Sequence, residues 1–214
     1  SFPGSKLKTI GVLFKILFTK QKLMSEQELI ELMIDLSETT KKEGRLSLEK
    51  KIEDIDDAFI KKGVSMVIDG TDGDIIEEIL EMEIEAMEKR HDTNASIFSS
   101  AGTYAPTLGV LGAVFGLIAA MASIDDTELM SEAIAAAFVA TILGIFTGYV
   151  LWHPFAKKLK VKSQDEVHLK KMVIIGLLSL QKGDAPFMLR EKLLSTLPAS
   201  SQSRILSSLM EAKG

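Results

Sequence analysis

Two long uncharged stretches dominate the pattern of hydrophobic and polar positions along the chain. No charged side chain occurs between Asp92 and Asp125, and none occurs between Glu132 and Lys157. Each stretch exceeds the roughly 20 apolar residues that an α-helix needs to cross a bilayer core. Each also avoids a cost of about 2.5 to 3.5 kcal/mol for every charge placed at the bilayer centre. The pattern predicts a transmembrane hairpin over residues 101–156, with spans near 103–122 and 133–154.

Small residues recur at helical spacing on both predicted spans. The first span carries Ala105, Gly109, Gly112, Gly116 and Ala119, and the second carries Ala137, Thr141, Gly144 and Gly148. Faces of small residues let helix backbones approach closely, so we expect these spans to pack against other helices. The opposite face of the second span is bulky and suits lipid, with Tyr149 and Trp152 near the membrane interface.

Charged residues flank the spans unevenly, and this asymmetry predicts their orientation. The segment between the spans is acidic, whereas four lysines follow the second span: Lys157, Lys158, Lys160 and Lys162. Because positively charged flanks stay in the cytoplasm, both flanking segments are predicted to be cytoplasmic. The net charge of −5 argues against nucleic acid as the main partner.

Residues 1–22 are predicted to form a basic amphipathic segment close to the membrane. Five lysines suit a helix lying on an anionic membrane surface: Lys6, Lys8, Lys15, Lys20 and Lys22. The alternative is an ordinary core helix of the cytoplasmic domain. The segment is too short and too charged to cross the membrane itself.

Residues 23–100 are predicted to form a cytoplasmic helical domain. Ser25 and Glu28 have the spacing of a capping box, and Gly44 is expected to end the helix that follows. The acidic run over 69–74 lacks the spacing and the bidentate glutamate of an EF-hand loop, so a turn is favoured over a calcium site. In that turn, Thr71 is predicted to cap a helix over 75–90.

Residues 157–214 are predicted to form further cytoplasmic helices. One helix is expected over 161–181, and Pro186 and Pro198 separate two shorter ones. The serine-rich tail from Ser200 is expected to be less ordered. Because no strand alternation of any length occurs in the sequence, the predicted fold is all-α.

The sequence carries no pattern typical of an enzyme or of a cofactor site. It contains no Walker A loop, no GxSxG and no HExxH motif, and it has no cysteine. His91, His153 and His168 have no metal-ligand spacing. His153 stands at the cytoplasmic membrane edge, where it either relays protons or is an interfacial structural side chain.

The spans and their flanks resemble a known family. The stretches GTYAPTLGVLGAVFGLIAAMASIDD and EAIAAAFVATILGIFTGYVLWHPFAKKL resemble the last two transmembrane helices of the flagellar stator family MotA, in its Gram-positive form. The stretch GRLSLEKKIEDIDDAFIKKGVSMVIDGTDGDIIEEILEMEIEAMEKRH is similar to the family's cytoplasmic loop. The resemblance covers about 2–197. The family has four transmembrane helices, of which this chain is expected to contain the last two.

The resemblance implies a proton-driven motor subunit of the bacterial inner membrane, and not an enzyme. Five A-type subunits surround a dimer of MotB-type subunits, whose membrane aspartate carries the ion, and the pentamer turns the rotor protein FliG. Pro106 and Pro154 match the family prolines that couple ion flow to motion, although each can instead mark a helix end. Thr141 matches the threonine that faces the aspartate, although its hydroxyl can instead bond its own helix.

The resemblance also assigns the ion type and the rotor contact. Sodium-type relatives carry threonines where this chain has Ala113 and Ala140, and fewer oxygen ligands favour protons over sodium. Lys41, Lys42 and Glu49 align with the charged residues that face the rotor, although a plain solvated face is the alternative. An ExbB/TolQ-type energiser of a periplasmic partner, or a passive membrane scaffold, would explain the same spans.

Overall fold

The computed structural model describes residues 10–19, 23–122 and 124–211, and these residues contain helices and turns but no strand. This confirms the predicted all-α fold. The helices are α1 (Ile10–Phe18), α2 (Glu26–Glu43), α3 (Leu48–Ile52), α4 (Ala58–Ile68), α5 (Gly73–Ala122), α6 (Thr127–Phe146), α7 (His153–Lys182), α8 (Pro186–Leu194) and α9 (Ala199–Glu211). A 3₁₀ turn, Arg45–Ser47, precedes α3, and a π-helical segment, Thr147–Trp152, joins α6 to α7.

The chain forms two compact units. The described residues of 10–19 and 89–163 form one, which we call the spanning unit, and those of 23–88 and 164–211 form the other, which we call the helical unit. The boundaries predicted at 100/101 and 156/157 both fall inside helices, because α5 and α7 continue well beyond the apolar stretches. The apolar pattern therefore located the spans but not the ends of their helices.

Two helices of the described chain are long and apolar enough to cross a membrane. Their most apolar stretches lie in Gly73–Ala122 and Thr127–Lys182, and only 11% of each stretch is buried inside the protein. An apolar helix of a soluble core would bury most of such a stretch, so this exposure fits helices that face lipid and other helices.

Local sequence signals explain how the helical unit is divided into helices. Ser25 caps α2, because its hydroxyl accepts from the Glu28 N–H while the Glu28 carboxylate accepts from the Ser25 N–H at 2.7 Å. The predicted capping box is confirmed. Gly44 ends α2 with a φ of 84°, a left-handed conformation that glycine adopts without strain. The cap of α5 is Asp72, whose Oδ1 accepts from the Asp74 N–H at 3.0 Å, so the prediction of Thr71 was wrong by one residue.

The core of the helical unit is aliphatic and closely packed. Ile30, Leu36, Val64 and Leu177 are completely or almost completely buried in it. A Cβ on Gly63 of α4 would lie 2.1 Å from a methyl group of Leu177, so glycine lets α4 and α7 approach closely.

The C-terminal tail is helical as far as Glu211, so over 200–211 the expectation of a less ordered tail was wrong. Residues Ala199–Glu211 form α9, in which Ile205 is 1% exposed. Leu206 and Leu209 also pack against the core of the helical unit. Ser200, Ser203 and Ser207 are exposed, and three apolar side chains are enough to dock the helix.

Helix α1 packs within the spanning unit through one apolar face. Leu13 and Leu17 are buried, whereas Val12 and Lys15 are exposed. The Lys162 ammonium donates to the Ile16 and Thr19 carbonyls at the end of α1, where basic groups are favoured. The other lysines predicted to meet the membrane surface, Lys6, Lys8, Lys20 and Lys22, lie outside the described residues.

Trp152 belongs to an aromatic cluster with Phe14, Phe98 and Phe155. Its ring stacks on Phe98 with centroids 6.0 Å apart, and Phe14 meets Phe98 edge to face at 5.4 Å. Trp152 is only partly exposed, whereas Tyr149 is 64% exposed. Of the two side chains expected to face lipid, only Tyr149 has an open surface, because α1 covers Trp152.

Candidate functional site in the membrane hairpin

The two spans meet through glycines. A Cβ atom on Gly144 would lie 2.6 Å from the carbonyl oxygen of Ala105 and 2.9 Å from the Cα of Gly109. A Cβ atom on Gly109 would lie 2.8 Å from the carbonyl oxygen of Ala140. Because both obstacles are backbone, no side-chain movement can make room, and the observed spacing requires glycine at both positions.

Two more glycines of α5 continue this contact along the hairpin. A Cβ on Gly116 would lie 2.9 Å from the Ala137 methyl group and 3.1 Å from the Ala133 carbonyl oxygen. A Cβ on Gly112 would meet only the Ala140 methyl group, at 3.3 Å. Gly112 is therefore the most tolerant of the hairpin glycines.

The small-residue faces of the two spans thus pack against each other, except at Ala119, which is exposed. The remaining surface of the hairpin is bulky, apolar and exposed, as at Leu108, Phe115, Ile118, Met121, Phe138, Ile142 and Phe146. Sequence periodicity alone could not tell whether the glycine faces meet within the chain or meet another subunit. The geometry makes the bulky surface the one that faces lipid and further helices.

Neither proline of the hairpin ends a helix. Pro106 lies inside α5. Pro154 is the second residue of α7, the helix that begins directly after the π-helical segment. In that segment the His153 N–H donates to the carbonyl of Gly148, five residues back. Proline lacks an N–H, so each proline leaves one carbonyl of the preceding turn without its helical donor.

Thr141 and the two alanines matched to sodium-type threonines lie on the hairpin. The Thr141 hydroxyl donates to the Ala137 carbonyl at 3.1 Å, which is the helix-internal bond that the sequence left as an alternative. Ala140 and Thr141 are half-buried, and the Cα of Thr141 would lie 3.4 Å from a Cβ on Gly109. Ala113 is also half-buried, on α5.

His153 lies against a glycine that the sequence analysis did not single out. A Cβ on Gly102 would come within 2.9 Å of the His153 imidazole ring, and the ring centroid of Tyr149 lies 5.5 Å from that of His153. Gly102 is buried. Two sequence signals could have identified it: it stands four residues before Pro106, and it extends the small-residue repeat of the first span, three residues before Ala105.

The residues assigned to the rotor contact lie in the helical unit, on both sides of a tight turn. Lys41 and Lys42 are exposed in the last turn of α2, and Glu49 is exposed in the first turn of α3. Lys42 pairs with Glu38 at 3.6 Å, a surface contact of small energetic weight. Arg45, between them, is half-buried and donates to the Gln181 carbonyl at 2.6 Å, so its guanidinium is used inside the unit.

Metal-ligand clusters and carboxyl groups with shifted pKa values are the two signs of a chemical site to consider in the described residues. Within them, no group of three or more histidine or acidic side chains is placed to hold a metal ion. The Ser25 backbone N–H and hydroxyl lower the pKa of the Glu28 carboxyl, and the Lys192 ammonium lowers the pKa of the Asp184 carboxyl. Both groups lie outside the spans, so neither supplies a titrating site in the membrane.

These features define an all-α integral membrane protein, in which two spans pack through small residues and continue into helical flanks. The chain belongs to the MotA/TolQ/ExbB proton channel family, whose model matches residues 51–172. It is 53% identical over 199 residues to Motility protein A of Bacillus subtilis, covering 93% of this chain and 74% of that protein.

Two solved structures share the fold over nearly the whole chain. A chain of the flagellar MotAB stator complex of Bacillus subtilis matches with a TM-score of 0.88 and 52% identity, covering 95% of this chain and 80% of that chain. A chain of MotAB from C. jejuni matches with a TM-score of 0.86 and 30% identity, covering 92% and 77%. The resemblance identified from the span sequences is confirmed.

Proposed function

We propose that this chain is the A-type stator subunit of a bacterial flagellar motor, in which a proton-conducting complex with a MotB-type partner produces torque. The likeness to a motility protein and to stator-complex chains, which extends over nearly the whole chain, carries the proposal. Family membership alone includes ExbB- and TolQ-type energisers. The agreement across both spans and their flanks favours the motor.

The hairpin needs a partner to supply the titrating group. Its spans contain no aspartate, glutamate, lysine or arginine, and their one histidine, His153, lies at the cytoplasmic edge, so a MotB-type subunit with a membrane aspartate is the source of the ion site. In this proposal the Thr141 hydroxyl bonds that carboxyl in place of the Ala137 carbonyl, to which it donates in the structure. Because the glycine faces are used inside the hairpin, the partner helix packs on the bulky surface.

Several further features of the stator belong to the same proposal. The subunits assemble as a homopentamer, with the acidic turn between α5 and α6 outside and both flanks in the cytoplasm of a bacterial inner membrane. Pro106 and Pro154 permit the spans to flex where helical hydrogen bonds are missing. Lys41, Lys42 and Glu49 meet FliG, and protons are the coupling ion because Ala113 and Ala140 supply no oxygen ligand.

Deletion of the gene and its restoration test the stator role. Cells without it should build flagella that do not turn, and restoring the full-length gene with its partner should restore rotation. Cells that swim normally as the single mutant and after deletion of any second stator gene would refute the role.

Matched variants test the ion pathway and the rotor contact. Thr141→Val should reduce rotation, whereas Ser131→Ala, which also removes a helix-internal hydroxyl from α6, should not. Rotation that depends on external sodium at a fixed proton-motive force would refute proton coupling.

A double variant, Lys41→Glu with Glu49→Lys, tests the rotor contact and should abolish torque, whereas the control Lys50→Glu should not. Equal torque in the double variant, the control and the unmodified protein would refute the rotor contact.

A further inference from the structure

The π-helical segment Thr147–Trp152 touches Pro106 at Gly148. A Cβ atom on Gly148 would lie 2.8 Å from the Cδ of the Pro106 ring and 2.9 Å from its Cγ. Gly148 is buried, and the ring of proline is rigid. The segment that precedes one proline is therefore in direct contact with the other proline.

The same Gly148 position faces a carbonyl that Pro106 leaves without a donor. In an α-helix the N–H of residue 106 would donate to the carbonyl of residue 102, but proline has no N–H. The oxygen of Gly102 lies 2.8 Å from the Cβ position of Gly148. In glycine a hydrogen occupies that direction, so a Cα–H of Gly148 points at the Gly102 carbonyl, a contact that recurs between closely packed helices.

The other side of Gly148 is tied to the irregular turn itself. Its own carbonyl accepts from the His153 N–H five residues on, which is the hydrogen bond that makes this turn wider than an α-helical turn. Pro154 follows directly and cannot restore the α-helical pattern, since it has no N–H to donate. Any change in the width of this turn therefore moves the carbonyl and the Cα of Gly148 together.

We propose that Gly148 is a positioning residue that couples the π-helical turn before Pro154 to the Gly102–Pro106 turn of α5, so that the two turns shift as one unit. The proposal rests on the stator function proposed above and deepens it, because it names the contact through which movement of one span reaches the other. Gly144 and Gly109 also allow close approach, but neither lies in the irregular turn.

The first test measures the geometry of the crossing and needs no motor. The chain has no cysteine, so spin labels can be placed at Tyr104→Cys and Tyr149→Cys, both on exposed positions. In the purified complex of the full-length protein and its partner, the parent should give a narrow distance distribution. Gly148→Ala should broaden or lengthen it, because the added methyl group meets a backbone oxygen and a rigid ring. Gly11→Ala is the control, since nothing lies within 4 Å of a Cβ there.

Pro106→Ala provides a second variant for the same distance measurement if the Gly148→Ala protein does not accumulate in cells. This variant adds no heavy atom where the two spans cross. It restores a backbone N–H that can donate to the Gly102 carbonyl, and it removes the proline ring that contacts Gly148. It should also broaden the distance distribution. Distributions of Gly148→Ala or Pro106→Ala that superimpose on those of the parent and of Gly11→Ala would overturn the proposal.

The second test separates positioning from packing. As stators engage one at a time, rotation speed under high load rises in steps, and the step height reports the torque of one unit. Gly148→Ala should lower the step height by about twofold or more, the scale expected when a coupling contact is altered. In the Pro106→Ala background, Gly148→Ala should add little. The proposal would be overturned if Gly148→Ala lowered only the number of steps and not their height. It would also be overturned if the step height of the double variant were reduced by the product of the two single reductions. A parent that restores no rotation would instead refute the stator function.

Discussion

Arg45 offers the sharpest test of how the proposed rotor contact is held in place. Its guanidinium donates to the carbonyl of Gln181 at 2.6 Å, near the end of α7, and the Gln181 amide donates in turn to the Thr71 carbonyl at 3.2 Å. This network fixes the 3₁₀ turn that separates Lys42 from Glu49. We predict that Arg45→Met, which keeps an apolar stem but removes the donor, loosens the turn without removing a charge that faces outward.

The expected magnitude follows from the type of hydrogen bond. A hydrogen bond from a charged donor contributes about 1.5 to 3 kcal/mol, and partial exposure of Arg45 reduces this to about 1 to 2 kcal/mol. Since about 1.4 kcal/mol corresponds to a tenfold change in an equilibrium constant, local opening of the turn should become about 5- to 30-fold more frequent. Backbone amides over 45–52 should exchange faster by that factor.

Hydrogen exchange in the intact complex measures this prediction. Peptides that cover 45–52 should lose protection in Arg45→Met, and peptides of the α5 and α6 spans should not change. Lys50→Met is the matched control, because it removes one positive charge from the same segment at an exposed position. Unchanged exchange over 45–52 in Arg45→Met, or an equal change in both variants, would show that the Gln181 contact does not hold the turn.

Three further predictions concern the helical unit. Ser25→Ala should destabilise α2 by about 1 kcal/mol, seen as faster exchange of the Glu28 amide, and equal exchange would contradict the capping box. Leu177→Ala should lower the free energy of unfolding by about 2 to 5 kcal/mol in thermal or denaturant unfolding, because Leu177 is fully buried; the exposed Leu46→Ala is its control. The lowered pKa values of Glu28 and Asp184 contribute stability above their ordinary values of 4.5 and 3.8, and this is lost as pH falls through the lower folded values. Asp184→Asn should therefore reduce the difference in melting temperature between pH 6 and pH 3, and an unchanged difference would contradict the Lys192 pairing.

Features set by neighbouring residues were predictable from the sequence. The capping box at Ser25 and the end of α2 at Gly44 depend on atoms within four residues, so spacing alone identifies them. The cap of α5 was misplaced by one residue because Thr71 and Asp72 are both good capping residues and the sequence does not show which one adopts the extended conformation.

Features set by tertiary packing were not predictable in the same way. The order of α9 depends on Ile205, whose burial is created by other helices of the helical unit. Trp152 was expected to face lipid, but the partner that covers it, α1, lies more than a hundred residues earlier in the chain. No sequence pattern singled out Arg45, because its acceptor, Gln181, is distant in sequence.

The glycine faces show most clearly what periodicity can and cannot establish. Repeats of small residues predict close helix packing but carry no information about which helix is the partner. Because Gly109 and Gly144 meet each other's backbone, the hairpin is closed by its own two spans. The partner subunit is therefore left with a mostly bulky apolar surface, which includes exposed small and hydroxyl side chains such as Ala119 and Thr107. In lipid, apolar side chains gain little from association by apolarity alone. The contact with a partner helix must then depend on the few groups that lipid cannot replace. The hydroxyls of Thr141 and of the exposed Thr103 and Thr107 are groups of this kind on the hairpin.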